Sequence, residues 1–499
     1  MLAVEGRDET MGELTRREFF VTSAAACAGL SARSVIGDPG QPSARPVSRG
    51  RASRRDRPNI LYLINHDHGW HFGSYGEKAP TPNLDRFAAD GLRLSQSFCN
   101  SPACSPSRGC AMTGLYAHTN GLMGLANRAM GWSLPEGVRT IVDYLNDAGY
   151  ETAHAGFQHE RYRIEANRYQ VEMARDGREY GFVENAVDQA IEYLTERRDT
   201  SRPFYLNVGT IEVHPSAWND PVRGRNDVYG IIPEEEIEMP EFLPDWGTQR
   251  ELLGKFYGCI RYWDKHVQRL LDGLEKAGLR ENTLVVVASD HGINALRCKG
   301  TLYDRGVATA TMLQWPGVIE PGQVSDHLMQ NIDLVPTLLD AADVQKPSHL
   351  QGRSYFPLLV GETYRPHDYI FTEFNYHVGY DPTRAIRTPR YHYLRYFDEE
   401  RVRFRTHEEL ERLIAEDPRG DWRNNWWRKA VPTDVKEELY DIQADPYALN
   451  NLAADSDYDR LRRELSATVE HWMHETADPL LQGPIPDRMN PWPEHLLQG

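Results

Sequence analysis

The stretch Asn59-Ile60-Leu61-Tyr62-Leu63-Ile64 decides the fold class, because it is a short and mostly apolar run that favours a strand. Phe204 to Val208 and Leu284 to Ala288 are two further runs of the same kind. Apolar runs without regular polar alternation are typical of parallel strands that are buried on both faces of a sheet. These three segments therefore predict a central sheet that is mainly parallel.

Helical patterns lie between these strands. Thr81-Pro82 predicts the start of a helix that ends near Gly91, with Thr81 as its N-cap and Pro82 at its first helical position. Apolar residues at helical spacing predict three further helices, over residues 138–148, 252–277 and 333–341. Strands that alternate with helices indicate an α/β domain whose sheet is flanked by helices.

The pattern changes in the last third of the chain. Two strands rich in aromatic residues are predicted over residues 369–373 and 391–397, and a final helix over residues 458–476. We therefore predict a large α/β catalytic domain over residues 58–345 and a smaller C-terminal α+β domain with an antiparallel sheet over residues 346–499.

Residues 1–57 are excluded from this prediction because they resemble a targeting segment. Arg16-Arg17 precedes a modest apolar run from Val21 to Leu30, which is typical of a Tat-type export signal, although an arginine pair also arises by chance. Ala26-Cys27 offers a weaker alternative, a lipoprotein site. Residues 37–57 predict a disordered linker. We expect the Tat translocase as a partner and a periplasmic or extracellular location.

The composition narrows the classes of function. The 499 residues carry a formal net charge of -17, which argues against binding to nucleic acid or to an anionic membrane surface. An anionic substrate would therefore need a local positive patch or a metal ion. Six cysteines in a chain of this length do not indicate a disulfide scaffold. No segment after the first 57 residues is apolar enough to predict a stable membrane span.

Ionisable side chains follow two of the predicted strands. His66 and Asp67 come just after the first strand. Asp290 and His291 come just after the third. Because sites in open α/β sheets form beyond the carboxyl ends of strands, we expect these side chains to converge. Carboxylates suit calcium or magnesium, whereas imidazole also accepts zinc or manganese. The pattern predicts a metal site, with helix capping by each aspartate as the alternative.

Cys104-Ser105-Pro106-Ser107-Arg108, followed by Thr113-Gly114, is the most specific segment of the chain. One interpretation is a purely structural role for Cys104, as a buried cysteine before a helix. The pattern C-x-P-S-R-x4-T-G, however, resembles the modification signature of the type I sulfatases, a family of the alkaline phosphatase superfamily.

Further segments resemble this family in the same order along the chain. They are Thr81-Pro82-Asn83-Leu84-Asp85, Lys299-Gly300-Thr301-Leu302-Tyr303, Trp315-Pro316-Gly317 and Glu438-Leu439-Tyr440-Asp441. The resemblance covers the chain from about Arg57 to its end. Within the family it is greatest to the heparan N-sulfatases (N-sulfoglucosamine sulfohydrolases, or sulfamidases), through Gly114-Leu115, His118 and the segment from Trp472 to Pro479.

The resemblance implies an enzyme that hydrolyses sulfate esters or sulfamates of sulfated sugars, with N-sulfoglucosamine as one candidate group. It implies that a formylglycine-generating maturation enzyme oxidises Cys104 to formylglycine (3-oxoalanine), whose hydrate supplies an oxygen nucleophile. It also implies one divalent metal, expected to be Ca²⁺, with Mg²⁺, Mn²⁺ and Zn²⁺ as alternatives. The implied metal ligands are His66, Asp67, Cys104, Asp290 and His291.

The resemblance also implies roles for four other residues. Lys299 would stabilise charge on the sulfuryl oxygens. Arg108, one helical turn after Cys104, would steady the nucleophile and the metal ligands. His214 is the implied general acid for the leaving group, and His159 is the implied base for release of sulfate.

Substrate residues follow less directly. His377 and Arg384 match positions near the sugar in the sulfamidase-like group, and a guanidinium is suited to grip a carboxylate or sulfate. Stabilisation of the small domain is the equally open alternative for both. Packing rather than stacking on a sugar is favoured for Trp422, Trp426 and Trp427.

Two residues depart from the usual pattern of the family. His66 stands where the first of two paired aspartates is expected, which removes one negative charge from the metal site. Phe157 stands where the family has lysine in Gly-Lys-x-His, which removes one positive charge near the sulfate. These departures keep two other functions open. One is hydrolysis of phosphodiesters or phosphonate esters on the same fold, and the other is an inactive homologue that binds carbohydrate.

Overall fold

The structure is a computed structural model. It describes residues 57–127, 130–173, 181–214, 225–240, 242–243, 245, 249–295, 297–377, 379–397 and 435–488. The predicted export signal, the linker up to residue 56 and the three tryptophans at 422, 426 and 427 lie outside the described residues.

The chain divides by its internal contacts into Met1–Arg54 and Arg55–Gly499, and the description below concerns the second unit. The predicted division of this unit between residues 345 and 346 stays a prediction. Among the helices of the described ranges, none is both long enough and apolar enough to span a bilayer.

The described residues form a central sheet of eight strands and two smaller sheets. The central sheet contains β1 (Asn59–Asn65), β2 (Leu92–Leu94), β4 (Glu151–Gly156), β5 (Val171–Glu172), β6 (Phe204–Gly209), β7 (Thr283–Ser289), β8 (Thr311–Gln314) and β9 (Gln323–Ser325). A two-stranded parallel sheet pairs β3 (Ser97–Phe98) with β10 (Met329–Gln330). The third sheet is antiparallel and contains β11 (Ile370–Tyr376), β12 (Tyr380–Arg387), β13 (Tyr391–Tyr396) and β14 (Glu437–Asp441).

The strand order of the central sheet is β5-β4-β6-β1-β7-β8-β2-β9. The first five strands in this order, β5, β4, β6, β1 and β7, run parallel to one another. β8 runs antiparallel to both β7 and β2, and β9 is parallel to β2. The prediction of a mainly parallel central sheet with a separate antiparallel sheet is therefore confirmed.

Eleven α-helices lie in the described ranges. They are α1 (Pro82–Ala89), α2 (Cys104–Thr113), α3 (Ala117–Asn120), α4 (Ile141–Asp147), α5 (Val183–Glu192), α6 (Asn226–Tyr229), α7 (Gln249–Lys276), α8 (Asp304–Val307), α9 (Leu334–Ala341), α10 (Phe356–Leu359) and α11 (Asp459–Glu475). The helices predicted from apolar spacing correspond to α4, α7 and α9, and the last predicted helix corresponds to α11.

Both faces of the central sheet are covered, which explains why β1, β6 and β7 are mostly apolar. On β1, Ile60, Tyr62 and Ile64 belong to one buried cluster, which includes residues of α4 and α9. Leu61 and Leu63 belong to a second buried cluster, which includes residues of α5 and α7. Successive side chains of a strand point to opposite faces, so a strand between two helical layers favours apolar residues on both faces.

The start of α1 differs from the prediction. The side chain of Thr81 accepts no hydrogen bond from the backbone N–H groups of the first turn of α1. Its hydroxyl instead accepts from the backbone N–H of Gly73 at 2.8 Å and donates to Asp85 at 3.0 Å. The free N–H groups of the first turn are satisfied by Asp264 of α7, which accepts from the N–H of Leu84 at 2.9 Å. A partner from a distant helix has no signature in the local sequence.

The small antiparallel sheet is covered by α11. Trp472 of α11 is buried and stacks on Phe371 of β11, with 4.6 Å between the ring centroids. Its ring also meets that of His118 in α3 edge to face, at 5.3 Å. The C-terminal helix therefore joins the small sheet to the short helix that follows α2.

Candidate active site

The carboxyl ends of four neighbouring strands lie at one edge of the central sheet. β4, β6, β1 and β7 are adjacent and parallel, so the residues that follow them come together there. In strand order these residues are Phe157 and His159, then His214, then His66 and Asp67, then Asp290 and His291. The sheet thus assembles side chains that are more than 200 positions apart in sequence, as the strand-end pattern predicts.

Asp67 lies at the centre of this cluster. Its φ of 54° is in the left-handed region, which aspartate tolerates better than most residues. Its backbone N–H donates to Asp290 Oδ1 at 2.9 Å. Lys299 Nζ donates to both of its carboxylate oxygens, at 2.8 and 2.7 Å. Burial alone would raise the pKa of Asp67, but the ammonium of Lys299 holds this pKa well below its usual range. Asp67 is therefore ionised.

Asp290 is held from two sides. Its Oδ1 accepts from the backbone N–H groups of Asp67 and His291, both at 2.9 Å. Its Oδ2 accepts from Arg108 Nε at 3.1 Å. Burial would raise the pKa of Asp290, but His291, His66 and Arg108 hold this pKa well below its usual range. The cluster thus contains two buried carboxylates.

Arg108 reaches the cluster from α2 and is completely buried. Besides Asp290, its guanidinium contacts the backbone carbonyl of Asn65, which accepts from Nη2 at 2.9 Å. Its Cζ lies 5.2 Å from the ring centroid of Phe157, within cation–π range. Nη1 makes no hydrogen bond with any described residue. Arg108 therefore neutralises Asp290 and retains one buried donor that an anion could satisfy.

Two imidazoles flank the carboxylates. His66 Nδ1 lies 2.6 Å from Asp67 Oδ1 and 3.5 Å from Asp290 Oδ2. His291 Nε2 lies 3.3 Å from Asp67 Oδ1. Burial lowers the pKa of His66 well below its usual range, so its ring is neutral at physiological pH and has a lone pair for a metal. Within the described part of the chain, Nε2 of either ring makes no hydrogen bond.

These side chains fit a divalent metal ion. One ligand atom from each of His66, Asp67, Asp290 and His291 can be chosen so that all four lie within 4.8 Å of one another. The same holds for a second set, His66, Asp67, Cys104 and His214. Carboxylates and neutral imidazoles are both metal ligands, and the buried imidazole nitrogens without hydrogen bonds are consistent with that use. Four predicted metal ligands therefore converge, with Cys104 adjacent.

Cys104 is the first residue of α2, every residue of which is buried. Its own exposed fraction is 1%. Burial raises the pKa of its thiol to about 12, although the charge of Lys299 acts in the opposite direction. Because the thiolate is the reactive form of cysteine, unmodified Cys104 is a weak nucleophile at neutral pH.

His214 and His159 approach the same cluster. The ring of His214 meets that of His66 edge to face, with 4.6 Å between centroids, and the ring of His159 lies 6.3 Å from it. Phe157 packs against His159 at 5.4 Å. Burial, with the charge of Arg108, lowers the pKa of His159 to about 3, so its ring is neutral at working pH. Both predicted acid–base histidines thus lie beside the predicted metal ligands.

The two predicted substrate residues lie in the small sheet. Arg384 of β12 is fully buried, and its Nε and Nη2 donate to Asp478 at 2.5 and 2.9 Å. Its Nη1 donates to Asn375 Oδ1 at 3.0 Å. His377 is half-buried in the turn after β11, where its backbone N–H donates to the carbonyl of Gly379. The contacts of Arg384 favour its alternative role in stabilising the small domain, and contact with a sugar stays a prediction for both residues.

A buried charged network surrounds Arg384. Glu373 of β11 lies 3.7 Å from its Nη2. The same carboxylate accepts from the backbone N–H of His118 at 3.1 Å and lies 2.9 Å from His118 Nδ1. The backbone N–H of Glu373 donates to the carbonyl of Asn100, four residues before Cys104. The small sheet is therefore tied to both ends of α2.

Several residues of the site escaped the sequence interpretation. The hydroxyl of Ser107 donates to the carbonyl of Asp290. Asn331 Nδ2 donates to the carbonyl and the hydroxyl of Ser107, at 2.9 and 3.0 Å. Glu160 accepts from the backbone N–H of His159 at 3.0 Å. Ser107 belongs to the quoted C-x-P-S-R segment and was open to prediction. Asn331 has no local signal, because its partner Ser107 is 224 positions away and is brought to it only by the fold.

Two family profiles match the chain. The profile described as "Sulfatase" matches residues 58–344. The profile described as "N-sulphoglucosamine sulphohydrolase, C-terminal" matches residues 292–419.

Individual relatives are similar over most of the chain. Over 443 residues the chain is 26% identical to an ulvan-active sulfatase of Formosa agariphila. The matched region covers 86% of this chain and 82% of that protein. Over 493 residues it is 27% identical to the N-sulphoglucosamine sulphohydrolase of Homo sapiens. This match covers 86% of this chain and 93% of the human protein.

A solved structure shares the fold. The structure of BT4656 in complex with its substrate D-glucosamine-2-N,6-O-disulfate has a TM-score of 0.65 and 20% identity to this chain. The match covers 86% of this chain and 99% of that one. At this identity the similarity establishes the architecture alone.

Proposed function

The chain belongs to the sulfatase family, and from this premise we propose that it releases sulfate from a sulfated sugar through a formylglycine made from Cys104. One observation carries the proposal. Ligand atoms of Cys104, His66, Asp67 and His214 lie within 4.8 Å of one another in the cluster at the strand ends. A nucleophile position, a site for a divalent ion and a candidate acid therefore share one small volume.

The nucleophile has to be more reactive than the thiol that the sequence encodes. Burial raises the pKa of Cys104 to about 12, so the thiol keeps its proton at neutral pH. Formylglycine at this position supplies, as its hydrate, an oxygen nucleophile for sulfur. The ammonium of Lys299, which lowers the pKa of the thiol, stabilises negative charge at the same position.

His66, Asp67, Asp290 and His291 are the residues that would hold a divalent ion beside residue 104. Such an ion supplies Lewis-acid stabilisation of negative charge on oxygen. Hydrogen bonds fix the ligands in place: Arg108 and two backbone N–H groups orient Asp290, and the ammonium of Lys299 orients Asp67.

Charge on the transferred sulfuryl group is stabilised by Lys299 and Arg108. Lys299 carries an ammonium at the centre of the cluster, and burial leaves its side chain only 5% exposed. Arg108 Nη1 is a buried donor without a hydrogen bond among the described residues, and a sulfuryl oxygen would satisfy it. Phe157 contributes no charge, so these two cations have to stabilise the anion.

Proton transfer is assigned to the two histidines that adjoin His66. His214 is half-buried beside the ring of His66 and donates a proton to the leaving oxygen or nitrogen. His159 is neutral at working pH, because burial and Arg108 lower its pKa to about 3, and it accepts a proton during the release of sulfate. A correctly positioned acid or base contributes roughly 10²–10⁴-fold to the rate.

N-sulfated glucosamine is the first substrate to test. Support comes from the match of residues 292–419 to the C-terminal profile of N-sulphoglucosamine sulphohydrolase and from the similarity to the human enzyme of that name. The ulvan-active relative supports O-sulfated sugars as the next class.

Sulfate release from a panel of substrates tests the proposal. The chain is produced together with a formylglycine-generating enzyme, and free sulfate is measured from N-sulfated and O-sulfated disaccharides. A phosphodiester and a phosphonate ester are included. We expect release from at least one sulfated sugar and none from the Cys104→Ala variant. Faster cleavage of the phosphorus esters, or sugar binding without turnover, would contradict the proposal.

Export by the Tat route is part of the same proposal. Arg16-Arg17 before the apolar run supports it, as does the burial of Cys104, which favours modification before the chain folds. The Tat route carries folded proteins, so the metal and the formylglycine would both be installed in the cytoplasm. A variant with both arginines replaced by lysine should stay inside the cell, and unchanged export to the periplasm or medium would count against the signal.

A further inference from the structure

The carboxylate oxygens of the cluster are already occupied by donors from the protein. Both oxygens of Asp67 accept from Lys299 Nζ, at 2.8 and 2.7 Å. Asp290 Oδ1 accepts from two backbone N–H groups at 2.9 Å, and Oδ2 accepts from Arg108 Nε at 3.1 Å. An ion that binds mainly through oxygen has to compete with an ammonium and a guanidinium for these carboxylates.

The imidazole nitrogens are less engaged than the oxygens. Both His66 and His291 have an exposed fraction of 0%, and the Nε2 atom of each makes no hydrogen bond with a described residue. His66 Nδ1 faces both carboxylates, 2.6 Å from Asp67 Oδ1 and 3.5 Å from Asp290 Oδ2. A buried polar atom without a hydrogen bond is unfavourable, and coordination to a metal would remove that cost.

The balance of charge also favours an ion that binds imidazole nitrogens rather than mainly oxygens. Asp67 and Asp290 contribute two negative charges, and their partners Lys299 and Arg108 contribute two positive charges. The charges of these four groups sum to zero. Calcium is bound by about six to eight oxygens, and its affinity depends on how many of them are charged. First-row transition ions of the zinc type accept imidazole readily and need fewer ligands.

We propose that this site selects zinc, or another imidazole-binding transition ion, over calcium. His66 and His291 supply the nitrogen ligands, and Asp67 and Asp290 supply the oxygen ligands. His66 decides the choice, because an aspartate at this position would add both a negative charge and a hard oxygen donor. The inference rests on the proposed function in using the same cluster, and it adds the identity of the ion.

Equilibrium metal binding tests the inference without reference to catalysis. The mature full-length chain is stripped with a chelator and titrated with Zn²⁺ or Ca²⁺ alone, by calorimetry, and the bound metal is counted by mass spectrometry. We expect one zinc per chain, bound at least ~100-fold more tightly than calcium. Loss of a residue that only orients a metal ligand changes metal affinity about 10–100-fold, so the choice of the ligand itself should matter at least as much.

Two variants make the test specific to His66. His66→Asp should lower the ratio of zinc to calcium affinity by about 100-fold or more, since it replaces a ligand rather than an outer partner. His471→Asp makes the same chemical change on α11, where the side chain is 67% exposed, and should leave the ratio unchanged. Tighter binding of calcium than of zinc by the native chain would overturn the inference. An unchanged ratio in His66→Asp would also overturn it.

Spectroscopy keeps the inference testable if His66→Asp fails to fold. Nitrogen NMR of the native chain should show that zinc shifts the ring signals of both His66 and His291, and zinc binding that leaves these signals unmoved would overturn the assignment. Sulfate release separates the two proposals. Selective zinc binding without any sulfate release would contradict the proposed function and support the inference that the site selects zinc. Sulfate release with either ion supports the function, and the ratio of the two affinities alone decides the ion.

Discussion

Replacing Lys299 by methionine removes the ammonium that binds both oxygens of Asp67 and keeps most of the volume of the side chain. The two side chains are 5% and 1% exposed, so this ion pair is buried. Removal of one partner from a buried pair leaves an uncompensated charge and costs roughly 3–5 kcal/mol. We expect the free energy of unfolding of Lys299→Met to fall by about that amount at pH 7.

The loss should depend on pH. In the native chain the pKa of Asp67 is held well below its usual range, so the stability that this residue contributes is present above its ordinary pKa and is lost as the pH falls through the lowered value. Without Lys299, burial dominates and raises the pKa of Asp67, so the variant gains from protonation in acid. The difference in unfolding free energy between native and variant should therefore be largest near pH 7 and smaller near pH 4.

Urea unfolding followed by circular dichroism at the two pH values measures this difference. Lys346→Met is the matched control, because Lys346 pairs with Asp340 at the surface, where the side chains are 39% and 25% exposed. Such a pair contributes about 1 kcal/mol or less. Sulfate release by folded Lys299→Met should fall by about 10²–10³-fold, as for loss of one donor to a developing oxyanion. A variant as stable as the native chain at pH 7, with undiminished sulfate release, would refute the reasoning.

Three further outcomes are expected. Arg384→Met leaves Asp478 buried without its guanidinium and should cost roughly 3–5 kcal/mol in urea unfolding, with KM unchanged in the folded fraction. A raised KM at native stability would instead support contact with the sugar. Burial raises the pKa of Glu212 to about 7, so its contribution to stability is present below its ordinary pKa of 4.5 and is lost as the pH rises through 7. Glu212→Gln should therefore be more stable than the native chain by ~2–3 kcal/mol at pH 8 and equal to it near pH 4, and equal stability at both values would exclude this account of Glu212. A maturation enzyme that is added to the folded, unmodified chain should leave Cys104 as a thiol, because its exposed fraction is 1%, and conversion as complete as in co-expression would show otherwise.

The strands that position the metal ligands were predictable because they are locally apolar. β1 and β7 lie between two layers of helices, and this position favours apolar residues on both faces of each strand. The order of neighbouring parallel strands then places the residues that follow them at one edge. His66, Asp67, Asp290 and His291 could therefore be grouped without any knowledge of their distances.

β4 was missed because its buried residues include polar ones. Glu151 accepts from the hydroxyl of Tyr193 at 2.7 Å and from the backbone N–H of Asp199 at 2.8 Å. His154 pairs with Glu172 of β5 at 2.8 Å. A buried strand tolerates such residues when partners satisfy them, and those partners come from other elements. Periodicity in a single segment does not detect them.

The environment of Arg384 was unpredictable for a related reason. Its main partner, Asp478, is 94 positions away and follows α11. β12 also contains Pro382, which argues against an inner strand, and it was not predicted from the sequence. The resemblance of its position to one near the sugar suggests a ligand, whereas a guanidinium in an inner strand with a buried carboxylate beside it stabilises the fold.

The state of residue 104 in the mature chain is the most direct test of the sulfatase chemistry proposed here. The protein is produced with a formylglycine-generating enzyme, treated with a reagent for aldehydes, digested and analysed by mass spectrometry. We predict an aldehyde at residue 104, unmodified thiols at Cys99 and Cys110, and sulfate release in proportion to the aldehyde content. A thiol at residue 104 throughout, in protein that still releases sulfate, would contradict the role of formylglycine at this site.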